Sequence, residues 1–218
     1  TILIEGKSEN SVGFVEQSTS TVEVKEVHIL SISAIIKSDS ITGKGAGLNI
    51  GLYDINGTLI ANKDMGGFYS IDWIKGTNDW KKYTISIVVP TETTKIKIGM
   101  ILYGMGKAWF SDFDVKFTSI RNRKSSKLAI QYISDASDTI AKNSLVRDSI
   151  NINNLKETAL KIAGPAKNYR DCFLAINFLL ESLRTFGDHH SFFMSVNEVK
   201  NWESEGSQVS EIQFPLYE

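Results

Sequence analysis

Apolar and polar positions alternate through the first half of the chain. In the run from Val27 to Lys37, Leu30, Ile32, Ala34 and Ile36 fall on one side and Ser31 and Ser33 on the other, the two-residue period of a half-buried strand. Residues 46 to 55 repeat it, with Leu48, Ile50 and Leu52 set between Asn49, Gly51 and Tyr53, and the Asn56-Gly57 pair that follows is a hairpin signal. Further strands are expected at Tyr83 to Val89 and at Lys95 to Leu102, where Ile96, Ile98, Met100 and Leu102 face inward. In a last strand from Trp109 to Phe117, Phe113, Val115 and Phe117 face inward with Trp109 in phase, and Asp112, Asp114 and Lys116 face water. Short strands separated by turns, with no helical period before about residue 120, predict an antiparallel β-sandwich of jelly-roll type, with a barrel as the variant.

The period then changes. Thr118 to Ser126 is basic, polar and aperiodic, the pattern of a linker, so a sandwich over residues 1–120 and a helical unit over residues 127–218 are expected. Leu128, Ile133, Ala136 and Ile140 stripe one helix. Leu155, Ala159, Ile162 and Ala163 stripe a second, stopped by Gly164-Pro165, and Cys172, Ile176, Leu179, Leu180 and Leu183 a third. Ser195 and Glu198 have capping-box spacing for a short fourth helix, giving three to four in all.

Charge narrows the function classes. Lys+Arg of 24 against Asp+Glu of 25 leaves a net charge of -1, so no global field draws the chain to nucleic acid or anionic lipid. No stretch approaches the roughly 20 apolar residues of a membrane-spanning helix. The one cysteine, Cys172, lies in an apolar run and reads as a core residue. The chain opens abruptly on apolar, β-branched residues, as though an earlier segment were missing.

Several residues carry candidate chemistry. Gly43-Lys44-Gly45-Ala46-Gly47 precedes a strand rather than a helix and reads as a turn, not a phosphate loop, and Asn56-Gly57-Thr58 reads as the hairpin before it reads as a glycosylation sequon. Trp80 and Trp109 are expected in the core, whereas Phe68, Tyr69 and Trp73 occupy a long glycine-containing connection and are the candidate ligand face, for glycan or protein. Asp112 and Asp114, two residues apart on one strand, are candidate ligands for a structural calcium ion; no other cofactor is implied. Gly187-Asp188-His189-His190-Ser191-Phe192-Phe193 places two histidines and a serine in a loop after the third helix. Adjacent side chains diverge, so a local Ser191-His190-Asp188 triad is geometrically poor, and the plain alternative is a glycine helix cap followed by a solvated turn.

The segment from about Lys127 to Trp202, with G-D-H-H-S-F-F followed by S-V-N-E-V-K-N-W, resembles the helical amino-terminal region of the C-terminal processing (tail-specific) peptidases, nearest the branch related to the tricorn core protease, where G-D-G-H-[TS]-F-F recurs. Gly187, Asp188, His190, Ser191, Phe192 and Phe193 match, and His189 stands where that motif has glycine. The segments T-N-D-W-K-K-Y and K-A-W-F-S-D-F-D-V look like those of jelly-roll modules similar to carbohydrate-binding ones. The resemblance implies the amino-terminal part of an extracytoplasmic (periplasmic, secreted or cell-surface) serine peptidase. In it His190 is the general base, and the serine and glutamate come from a downstream catalytic domain, its partner. The substrate would be a polypeptide, and this chain alone would be inactive. The alternative is a carbohydrate- or protein-binding module with no link to proteolysis.

Overall fold

In the computed structural model the described residues are 1–19, 21–65, 73–184, 186–188, 190–194 and 199. They fall into two compact units, residues 1–119 and the part that follows from Ile120.

The first unit is built from β1 (Ile2–Gly6), β2 (Val12–Ser18), β3 (His28–Tyr53), β4 (Leu59–Asp64), β5 (Ile74–Val89), β6 (Lys95–Tyr103) and β7 (Gly106–Ser119). The two runs expected around residues 27 to 37 and 46 to 55 are halves of one strand. The bend between them is supplied by Ser40, Gly43 and Gly45, whose φ angles are 53, 75 and 119°. Gly45 cannot be anything else: its backbone is left-handed, and an added Cβ would lie 2.7 Å from the Cβ of Trp73. The sequence reading of this glycine cluster as a turn is therefore realised as a corner within a strand.

That corner gives the fold its two layers. The first half of β3 pairs with β5 and with β7, which in turn pairs with β1; the second half pairs with β4 and with β6, which pairs with β2. The orders β1-β7-β3-β5 and β2-β6-β3-β4, all antiparallel, are those of a jelly roll. Leu30, Ile32, Ala34 and Ile36 from one layer meet Leu48, Ile50 and Leu52 from the other in a single core, joined by Ile85, Ile87, Ile96, Met100 and Leu102.

The last strand departs from simple alternation. Between the pairs Ile35↔Ser111 and Ser33↔Asp114, β7 carries one residue more than β3, a bulge in which Asp112 takes a left-handed φ of 50°. Before it Ala108 and Phe110 point inward and Trp109, half-buried, outward. After it the phase flips, and Phe113, Val115 and Phe117 share a face with Leu30 and Ile32. Trp109 is thus not in phase with them, and the three residues expected in the core are 38%, 44% and 49% exposed. Trp80, also expected in the core, is exposed, on the ribbon where β5 runs alongside the bend of β3.

The second unit contains α1 (Lys127–Asn143), α2 (Ile152–Ala163) and α3 (Phe173–Arg184), with 3-10 turns at Arg147–Ser149 and Tyr169–Cys172. Its buried positions are Ala129, Ile133, Ile140, Ala159, Ile162, Ala163, Ala175, Ile176, Leu179 and Leu183, with Cys172 fully enclosed. Most of the segment expected as a free linker belongs here. Ser126 caps α1 through the N–H of Ala129, Ser125 donates to the Leu160 carbonyl, and the Arg123 guanidinium donates to the Ile162 carbonyl (2.7 Å). The cation thus sits against the last carbonyls of α2, where the helix dipole favours it. The fourth helix expected from Ser195 lies outside the described residues.

Candidate functional site

Strand alternation turns Ala46, Leu48, Ile50 and Leu52 inward, so Gly47, Asn49, Gly51 and Tyr53 face outward from the second layer. The register adds Phe14 and Glu16 of β2 and Lys97, Gly99, Ile101 and Tyr103 of β6 to that face. Three of these positions are glycines, and each has an aromatic ring over it. Where a Cβ on Gly47 would stand, Met65 Cβ is 2.8 Å and Cζ3 of Trp73 3.0 Å away; for Gly51 the neighbour is Cε2 of Tyr53 at 3.0 Å, and for Gly99 the Asn49 side-chain oxygen and the Val15 carbonyl come first, with Cε2 of Phe14 at 3.2 Å. Because Gly51 pairs with Lys97 and Gly47 with Ile101, both are diagonal to Gly99, about 7–8 Å away. The rings take part of the space that side chains would fill, so aromatic surface comes down against the glycine positions, a trough in the side-chain layer of this face.

Charges border the trough. Lys97 Nζ is 2.8 Å from Glu16 Oε1 and 5.3 Å from the centre of the Tyr53 ring, and its hydrogen bond to Glu16 holds its pKa above the ordinary lysine value. Lys44 stands 5.3 Å over Tyr103, whose ring meets Trp73 edge-on at 5.5 Å. Burial raises the Asp64 carboxyl, against the opposing pull of Lys44 and Lys63. Among the described residues, two buried atoms of this face have no hydrogen-bond partner, Asn49 Oδ1 and Trp73 Nε1. A buried unpaired polar group costs about 1–3 kcal/mol, so each is an exception in a well-ordered sheet.

Of the expected ligand face, Trp73 alone lies within the described residues. Trp73 is 6% exposed, packed on Gly47 rather than offered to solvent, while Phe68 and Tyr69 lie outside the described residues. The exposed rings of this face are Phe14, 44% exposed, and the partly exposed Tyr53 and Tyr103. None was singled out from the sequence. The one legible signal was the outward repeat Gly47, Asn49, Gly51, Tyr53, in which small residues alternate with buried ones.

The loop after α3 is organised differently. Gly187, with φ of 98°, follows the helix; the Asp188 N–H donates to the Leu183 carbonyl (3.2 Å) and the Gly187 N–H to that of Arg184 (3.0 Å), a Schellman cap. Asp188 is 4% exposed, and its carboxylate is fully engaged. Oδ1 accepts from the N–H groups of His190 (3.0 Å) and Ser191 (2.9 Å), and Oδ2 from the Ser191 hydroxyl (2.7 Å). The Ser191 hydroxyl bond, followed by the two backbone bonds, holds the carboxyl below the usual range. Ser191 therefore addresses Asp188 and not His190, as expected of side chains that cannot form a local triad. His190 is exposed, and Phe193 packs on Phe173 with ring centres 4.7 Å apart. His189 lies outside the described residues.

Asp112 and Asp114 are both exposed on β7, Asp112 in the bulge and Asp114 opposite Ser33. Among the described residues no three His, Cys, Asp or Glu side chains come together. A calcium ion here would have to draw most of its shell from carbonyls and water.

No protein-family model and no curated protein matches the sequence. Solved structures similar to it include the enzymatically active domain of tailspike protein 4 from bacteriophage CBA120 (11% identity, TM-score 0.40, covering 53% of this chain and 15% of that one). An infectious bursal disease virus T13 particle gives 12% identity, a TM-score of 0.40 and coverage of 54% and 28%. A CBM4 structure gives 15%, 0.32, and 49% and 61%. The chain thus spans less than two thirds of each, and none of these likenesses decides what it binds.

Proposed function

We propose that the jelly roll is a binding module that takes an extended glycan across the outer face of its second layer. The observation that carries this is the set of rings laid on glycines, with Phe14 and Tyr53 open to solvent. A pyranose presents an apolar C–H face, which stacks on a flat ring, and a rim of hydroxyls, which both donate and accept. Glu16 and Lys97 lie beside Tyr53 to meet such hydroxyls. The unpaired atoms of Asn49 and Trp73 are a cost that an entering hydroxyl or water offsets once the Phe14 ring yields. Affinity electrophoresis through gels loaded with soluble plant and bacterial polysaccharides tests it. Retardation by at least one polysaccharide, lost in the Phe14→Ala/Tyr53→Ala double variant and kept in Trp80→Ala, is expected. Unretarded migration in every gel, or a double variant that behaves as the parent, overturns it.

A second reading keeps the peptidase resemblance: the helical unit supplies His190 as general base to a serine-peptidase domain of the same protein. What favours it is an exposed imidazole on a backbone pinned by Asp188. Since three donors of the loop itself already occupy Asp188, the carboxylate that orients the imidazole would come from the catalytic domain. In the parent protein His190→Ala should then slow digestion of denatured casein by about a thousandfold or more. His190-dependent digestion by the present chain alone would show a nucleophile within it and end this reading.

A further inference from the structure

Among the described residues, the half of β7 beyond its bulge is an unpaired sheet edge. β1 covers only Gly106 to Phe110, and from Ser111 onward β7 has β3 on one side and no strand on the other among the described residues. Phe113, Val115 and Phe117 leave their inner-facing side chains partly in water there. Neither Asp114 nor Lys116 makes an ion pair among the described residues. An apolar free edge is a template for another strand, and natural edges are usually guarded by like charges or proline. This one carries an acid and a base instead, placed symmetrically about Val115 in the order Phe113-Asp114-Val115-Lys116-Phe117.

That order is self-complementary. We propose that the segment is a homodimer interface in which two copies pair β7 antiparallel, about a two-fold axis through Val115 and normal to the sheet. In that register Phe113 lies opposite the partner's Phe117 and Val115 opposite the partner's Val115, on the face continuous with Leu30 and Ile32. Asp114 lies opposite the partner's Lys116 and Lys116 opposite the partner's Asp114, on the other face. Directly opposed residues of an antiparallel pair share a face, so the two-fold joins apolar to apolar and acid to base with nothing left over. The pairing continues the β1–β7 ladder past the bulge and joins the first layers of two copies into one sheet. Shifting the register by two residues would set Asp114 against the partner's Asp114 or Lys116 against the partner's Lys116, so the charges select one alignment.

Sedimentation velocity on the full chain, from micromolar to millimolar, tests the register itself. The parent should be a concentration-dependent dimer. Asp114→Lys and Lys116→Asp each place like charges opposite one another at two points and should raise the dissociation constant by about tenfold or more. Mixed in equal amounts, the two single variants should dimerise with each other, because every Lys of one then faces an Asp of the other. The double exchange Asp114→Lys/Lys116→Asp should restore the homodimer. Both positions are exposed, and unchanged circular dichroism confirms folded variants. A parent monomeric throughout, single variants that dimerise as the parent does, or a mixture no more associated than its components overturns the proposal; so does a monomer whose edge captures only unrelated extended peptides.

Discussion

The trough on the second layer and the loop after α3 both place polar groups beside aromatic rings, yet they settle them in opposite ways. In the loop each oxygen of Asp188 has a donor, two of them from the backbone, and the carboxylate is accounted for by the turn that it closes. In the trough Asn49 Oδ1 and Trp73 Nε1 have none among the described residues, although both are buried. Complete hydrogen bonding describes a device for holding the chain; an incompletely bonded sheet face leaves groups that a water or an entering hydroxyl would satisfy. A histidine beside a serine is the more conspicuous feature in the sequence, but among the described residues the glycine-floored sheet holds two of the buried side-chain atoms left without a partner, Thr93 Oγ1 and Ser137 Oγ being others.

Three substitutions sharpen that contrast. Trp73→Ala removes a ring packed on Gly47 and Tyr103 and should destabilise the sandwich by about 3–5 kcal/mol, read as a lowered denaturant midpoint. Trp73→Phe, which keeps most of the ring and deletes the unpaired N–H, should recover more than half of that loss. Gly47→Ala brings a Cβ to 2.8 Å from that of Met65 and 3.0 Å from the Trp73 ring, and should cost about 1–3 kcal/mol with a shift in tryptophan fluorescence. If Gly47→Ala proves neutral, the ring does not rest on the glycine floor and the trough loses its basis.

Asp188→Ala should act on the helical unit alone, costing about 1–2 kcal/mol and leaving the sandwich transition in place. Because the folded carboxyl is held below its ordinary value, its contribution is present in full above the ordinary aspartate pKa of about 3.9. It is lost as pH falls through the lower folded value. Urea midpoints of the helical transition between pH 2 and pH 6 should therefore fall less steeply toward acid in Asp188→Asn than in the parent. An identical acid limb in both proteins would remove Asp188 from the account of this loop.

How much was legible varies by element. Leu48, Ile50 and Leu52, the set from Ile96 to Leu102 and the stripes of α2 and α3 point where periodicity places them, because each pattern is carried by neighbours within one element. The phase error at Trp109 has a single local cause, the extra residue at Asp112, and aspartate tolerates the left-handed conformation well enough that nothing in its identity announces a bulge. Trp80 was misplaced because a large aromatic ahead of a strand looks alike whether it plugs a core or rides an exposed ribbon. The segment from Thr118 to Ser126 reads as a linker because it has no period of its own, and the hydrogen bonds of Arg123 and Ser125 run to α2, far ahead in the chain.

Taken by itself, the amino-acid sequence determined the three helices and the stretches that form β3, β6, β7 and the second half of β5, left β1, β2 and β4 unread, and segregated the two kinds of element along the chain. Only the tertiary structure decided that two expected strands are one, bent to serve both layers, and that Phe14 lies over Gly99 and Trp73 over Gly47. The reason is the range over which each is encoded. Periodicity is written in adjacent residues, whereas a glycine is an empty position until the strand register brings a ring from a distant segment to occupy it.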